Sequence, residues 1–125
     1  MTKKGVILGS ILMGLLICSC AGTHPELPPN PQQLISGGKT VYLHYCSECH
    51  QIDGNGWLPL YPRFAGNPLI TLNDPSPIIE TVMYGQGSMP AFRDRLDSDQ
   101  IAAVLSYIRN AWGNSAPAVS PKQIH

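Results

Sequence analysis

Two cysteines and a histidine in Cys46-Ser47-Glu48-Cys49-His50 narrow what this chain can be more than any other stretch. On a helical turn, residues three apart share a face, so both thiols meet one edge of whatever lies against that face, with the imidazole of His50 directly behind. A C-x-x-C pair alone fits a zinc site, a redox dithiol, part of an iron–sulfur site or the two thioether bonds of a porphyrin. Each of the first three lacks parts here. Zinc wants four Cys or His ligands at recognisable spacings, and His24, His44 and His125 are scattered, with no second C-x-x-C. A four-thiolate cluster needs four cysteines in the folded domain, whereas Cys18 and Cys20 fall in a leader-like segment. A thioredoxin-like dithiol belongs to a βαβ pattern, yet Tyr42-Leu43-His44-Tyr45 continues a helical one. The pentapeptide therefore points to one covalent haem c on Cys46 and Cys49, with His50 over the iron.

The N-terminus has Lys3 and Lys4, an apolar run from Val6 to Ile17 and then small residues, the pattern of a secretory signal. The run is too short to cross a bilayer comfortably. Ile17-Cys18-Ser19-Cys20 resembles a bacterial lipobox, with an aliphatic residue three before Cys20 and a small one just before it. The expectation is a lipoprotein-type signal peptide over residues 1–19, lipidation at Cys20, and export to the periplasm with a lipid anchor in a bacterial membrane. Loss of Lys3 and Lys4 takes the eight Lys and Arg to six against eight Asp and Glu, leaving a mildly acidic domain. That balance argues against nucleic acid and against a strongly basic docking face. What is left suffices for one small domain. Thioethers and lipid would consume the cysteines, so no disulfide framework is expected.

Residues 20–32, with Pro25, Pro28, Pro29 and Pro31, read as an extended tether. From Gln33 the spacing of Leu34, Val41, Tyr42 and Tyr45 is helical. Gly37-Gly38 inside it suggests close approach by another helix. Asp53-Gly54-Asn55-Gly56 marks a turn, and Trp57 to Pro68 an ordered loop that wraps something. Ile78, Ile79, Val82 and Met83 form a short helix ended by Gly85, and Gly85 to Phe92 is a second loop. In the last helix Asp97 and Gln100 make a capping box, Ile101, Val104, Leu105 and Ile108 form an apolar stripe, and Trp112-Gly113 closes it. Residues 114–125 read as a flexible tail. With no strand-period segment and no internal repeat, the fold class is all-α.

Over residues 33–113 this order of parts resembles a class I c-type cytochrome: helix, C-x-x-C-H, Pro-containing loop, short helix, Met-Pro loop, C-terminal helix. The resemblance implies that the N- and C-terminal helices cross, through Gly38 with Tyr42 and Val104 with Tyr107, and that loops and short helices complete a haem pocket. It implies that the Pro62 carbonyl accepts the ring N–H of His50 and that Met89, on its glycine-rich loop before Pro90, is the distal ligand, whose thioether favours reduced iron. Met83, in helical register with Ile79, reads as core, and His44 as an unfavoured nitrogen donor on the same helix as Cys46. Trp57, Tyr61 and Arg63 are candidate propionate partners, or else wall residues and a solvated charge. Phe64, Leu69, Leu72, Ile79, Val82 and Phe92 would line the pocket.

Filling both axial positions leaves no place for a substrate. The expected function is that of a one-electron carrier, not an enzyme, which meets donor and acceptor proteins transiently. It would work alone or as the cytochrome subunit of a dehydrogenase or oxidase. Ile101 to Gly113 is similar to cytochrome subunits that serve bacterial quinoprotein dehydrogenases. The rival readings are a haem enzyme or gas sensor with an open distal site, for which the Gly85 to Phe92 loop offers no acid–base His or Arg, and a colourless zinc or dithiol module.

Overall fold

The computed structural model describes residues 29–125; the leader, Cys20 and most of the Pro-rich segment lie outside the described residues. The first helix, α1, runs Pro31–Tyr45. Asn30 caps it: its side-chain oxygen accepts from the Gln33 amide at 2.9 Å, and the Gln33 side chain accepts from the Asn30 amide at 2.9 Å. The helix thus starts ahead of Gln33, taking Pro31 from the expected tether, because proline's fixed φ and missing N–H suit a first helical turn. At Cys46 the chain leaves helical geometry (φ −120°, ψ −35°) and resumes at once as α2, Ser47–His50. The Cys46 amide still donates to Tyr42, and the Cys46 carbonyl accepts from His50, both at 2.9 Å. The C-x-x-C-H stretch is therefore a rigid continuation of α1.

Helix α3 spans Ser76–Tyr84 and α4 spans Ser98–Ile108. Asp97 and Gln100 form the reciprocal cap of α4, at 2.8 and 3.1 Å. The core is built where α1 crosses α4. Leu34 and Tyr42 from one helix and Ile101, Ala102, Val104, Leu105 and Ile108 from the other are buried. Each large aliphatic buried this way contributes about 1.5–3 kcal/mol. Gly38 sits at the crossing, where a β carbon would overlap the Ala103 carbonyl and lie 2.8 Å from the β carbon of Tyr107. The close neighbour is thus Ala103 together with Tyr107, one residue before the expected Val104. Ile79 and Met83 of α3, with Phe92 and Leu96, extend the same core.

The expected flexible tail is packed instead. Val119 is fully buried, and Ser106 of α4 receives it on both sides: its Oγ accepts from the Val119 amide at 2.8 Å and donates to the Val119 carbonyl at 3.2 Å. Asn110 donates to the Ala116 carbonyl at 3.0 Å, and Arg109 to that of Pro117 at 2.9 Å. A short 3-10 turn, Pro121–Gln123, follows with Ser120 as its cap. Polar side chains of α4 and of the two residues after it do here what a neighbouring strand would do, satisfying the backbone of a segment that forms no ladder of its own. Among the described residues there is no β-strand, and no helix is long and apolar enough to cross a membrane.

Candidate haem-binding site

Cys46 and Cys49 are both free thiols, partly exposed and one turn apart. Burial, and then the neighbouring Cys49, push the Cys46 thiol up to about 11. A redox dithiol needs the opposite shift, toward the nucleophilic thiolate. Among the described residues no group of three or more His, Cys, Asp or Glu side chains could hold a bare metal ion.

His50 is buried. Its Nδ1 lies 3.2 Å from the carbonyl oxygen of Pro62. A carbonyl only accepts, so the contact is a hydrogen bond when Nδ1 carries the proton, and Nε2 then keeps its lone pair. Burial lowers the pKa of His50 below its ordinary value, and the Pro62 contact opposes this only in part. The ring is therefore neutral at physiological pH, the form that binds metal. Phe64 stacks on it with centroids 4.2 Å apart and planes 21° from parallel.

That stack is braced from behind. The Phe64 amide donates to Gly54 at 2.7 Å, and Asn114 bridges the same loop by donating to the Phe64 carbonyl at 3.1 Å and accepting from the Gly66 amide at 3.0 Å. Trp112, which the sequence suggested only as the end of a helix, closes the wall. Its Nε1 donates to the Ile52 carbonyl at 3.2 Å, and its ring lies 5.0 Å from Tyr42 and 5.4 Å from Tyr107. Tyr42 donates to the Gln51 carbonyl at 2.6 Å. Three aromatic residues near the α1–α4 crossing thus fix the turn that follows His50. The spacing of Tyr42 and Tyr107 on the two crossing helices was the one signal of this in the sequence.

Met89 is brought to its place by a tight reversal. Gly85 ends α3 with φ 77°, and a β carbon there would lie 2.5 Å from the Met89 carbonyl, so only glycine lets the loop fold back this closely. Gln86 and Met89 exchange backbone hydrogen bonds of 3.2 and 3.0 Å, and the Phe92 amide donates to Val82 at 3.0 Å. The Met89 side chain is half-buried, while Met83 is buried in the core. Phe92 packs edge-on against Tyr45, the residue before Cys46, at 6.4 Å. The methionine loop is in this way tied to the end of α1.

Tyr61 sits 6.3 Å from the His50 ring and beside Cys49, whose charge raises the phenol's pKa. Trp57 and Arg63 are exposed, and no ion pair to Arg63 is present among the described residues. Of the expected pocket residues, Phe64, Ile79 and Phe92 are buried and Val82 is half-buried, whereas Leu69 and Leu72 lie exposed. His44 is exposed, with its ring against Tyr45 at 4.7 Å. Two accessible thiols, an imidazole with one nitrogen committed and one free, a half-buried thioether and a run of exposed apolar residues (Trp57, Leu58, Leu60, Leu69) together fit an apolar iron macrocycle.

The chain belongs to the c-type cytochromes. A family model described as "Cytochrome C oxidase, cbb3-type, subunit III" matches residues 33–108. The family carries haem c and transfers electrons. Among individual proteins, the chain is 34% identical over 93 residues to the cytochrome c subunit of a quinone-dependent alcohol dehydrogenase from Gluconobacter oxydans, a match covering 66% of this chain and 20% of that one. The chain thus spans about a fifth of the length of that relative. It is also 36% identical over 81 residues to cytochrome c6 of Diacronema lutheri, covering 63% of this chain and 98% of that protein. The crystal structure of cytochrome cL from Methylophaga aminisulfidivorans shares the fold, with a TM-score of 0.54 at 22% identity over 66% of this chain and 55% of that one.

Proposed function

We propose that this protein is a monohaem electron carrier in which Cys46 and Cys49 would hold haem c through thioethers and His50 and Met89 would ligate its iron. The observation that carries the reading is the buried, neutral His50 ring, with Nδ1 held 3.2 Å from the Pro62 carbonyl. That contact fixes the tautomer, orients the ring and raises the basicity of Nε2, as the outer partner of a metal-bound histidine does. Bound there, the iron supplies a one-electron Fe(II)/Fe(III) couple.

The residues of the chain do the rest. Phe64 and the aromatic wall keep His50 from turning, and the Gly85-to-Phe92 reversal holds Met89 in place. A thioether and an imidazole together as ligands would raise the potential of that couple. Phe64, Ile79, Val82 and Phe92 would exclude water, and Tyr61, Trp57 and Arg63 would be the propionate partners. The similarity to a dehydrogenase cytochrome subunit supports a place downstream of such an enzyme, with redox proteins docking transiently as donor and acceptor. The leader and lipobox support export to the periplasm and a membrane anchor through acylated Cys20. The domains on this reading are a signal peptide over 1–19, a tether up to the α1 cap and a cytochrome domain that includes the packed C-terminal segment.

The test is mass spectrometry of the exported protein after denaturation, with absorbance followed on the unfolded polypeptide. One haem mass retained on the chain, and lost in Cys46→Ala/Cys49→Ala, is the expected result. A colourless polypeptide of unmodified mass overturns the reading. The same spectra report acylation at Cys20.

A further inference from the structure

Arg109 places a permanent positive charge in the interior. It follows the last residue of α4 and is fully buried. Nε donates to the carbonyl of Pro117 at 2.9 Å, Nη1 to that of Ile70 at 2.8 Å and Nη2 to that of Leu72 at 2.8 Å. None of these acceptors carries a formal charge. Among the described residues the one ion pair joins exposed Arg93 to exposed Asp94 at 3.8 Å, and Arg109 is in none. A guanidinium does not release its proton in a protein, so burial leaves the cation charged and its field weakly screened.

Desolvating a charge is costly, and the three carbonyls that clamp Arg109 satisfy its donors without cancelling its charge. The clamp also reaches the candidate site. Ile70 and Leu72 continue the loop that begins at Phe64, which stacks on His50, and Asn114 ties that loop to the chain just beyond Arg109.

We propose that Arg109 tunes the reduction potential, its unbalanced interior charge favouring the reduced site, which carries one positive charge fewer than the oxidised one. The inference rests on the haem reading above. The electron arrives from the donor protein, and Arg109 keeps its proton in both states. Its part is that of a fixed field and a positioning brace, not of a ligand.

The experiment is a spectroelectrochemical titration of the holoprotein as wild type, Arg109→Gln, Arg109→Lys and Ser106→Ala. Arg109→Gln removes the charge and is expected to shift the equilibrium with a one-electron mediator about three- to tenfold toward the oxidised form, tenfold being about 59 mV for one electron. Arg109→Lys loses the fork and stability but keeps the charge, and holds within about twofold of wild type on that same scale. Ser106→Ala loosens the same C-terminal segment without touching the charge and leaves the potential unchanged. A folded Arg109→Gln protein with wild-type potential overturns the proposal, as does an Arg109→Lys shift of threefold or more in the oxidised direction. Should the Gln variant fail to fold, Arg109→Met, of similar length and without charge, is read on the same scale, and a wild-type potential in it overturns the proposal. A wild-type protein with no haem couple sinks the haem reading itself, an outcome visible before any variant is compared.

Discussion

Gly37 and Gly38 are neighbours in α1, yet a methyl group should have opposite effects at the two positions. Replacing a helix-interior glycine by alanine gains about 0.8–1 kcal/mol of intrinsic helix stability at either site. At Gly37 nothing lies within 4 Å of the added carbon, so Gly37→Ala keeps the whole gain. For a domain of this size each kcal/mol moves the midpoint by about 4–8 °C. At Gly38 the added carbon overlaps the Ala103 carbonyl and comes 2.8 Å from the β carbon of Tyr107. That backbone cannot rotate aside, so α1 and α4 must separate, and the contacts of Leu34 and Tyr42 with Ile101, Val104 and Leu105 loosen. Overpacking of this kind costs about 1–3 kcal/mol, and here the upper end applies because the obstacle is main chain. Gly38→Ala should therefore lose about 2 kcal/mol net, some 3 kcal/mol below Gly37→Ala. Urea unfolding of the holoprotein followed by far-ultraviolet circular dichroism measures the difference. Equal midpoints for the two variants would refute the crossing as the close contact that organises the fold.

Ending the chain at Gly113 removes Val119, opens Ser106 to water and removes Asn114 from the Phe64 loop. The loss should be about 2–4 kcal/mol, from roughly 1.5–3 for the valine and about 1 for the hydrogen bonds of Asn114, and thermal denaturation reads it directly. A midpoint equal to that of the full chain would mean that the segment contributes nothing. Asp74 accepts from the amide and hydroxyl of Ser76 at 3.0 and 2.7 Å, which holds its carboxyl below the ordinary carboxylate value. Its contribution to stability is present above the unfolded-state pKa and is lost as pH falls through the lower folded value. Asp74→Asn should flatten the acid limb of the stability profile there, and an unchanged limb would show that the bonds to Ser76 do not matter.

Local patterns carried most of the architecture. The Asp97–Gln100 box, the apolar stripe of α4, the glycine at the helix crossing and the C-x-x-C-H turn are each written within a few residues, so their structures follow from short-range rules. Features that depend on distant partners were not legible. Val119 looks like one apolar residue in a Pro-, Ser- and Ala-rich stretch, and only the Oγ of Ser106, thirteen residues earlier, makes it core. Arg109 reads as an ordinary cation at a helix end until the carbonyls of Ile70 and Leu72 close over it. Trp112 lies past the end of α4, and periodicity says nothing of its contacts with Tyr42 and Ile52. Pro31 reads with the prolines before it as tether, yet Asn30 and Gln33 spell the capping box that starts α1 there.

The far-red sulfur-to-iron absorption of the oxidised holoprotein reports whether Met89 binds the iron that His50 holds. The band should be present in the wild type and in Met83→Leu, and should vanish in Met89→Ala with a fall in potential and new binding of carbon monoxide to the reduced form. A Met89→Ala protein with an unaltered spectrum and potential would contradict the account.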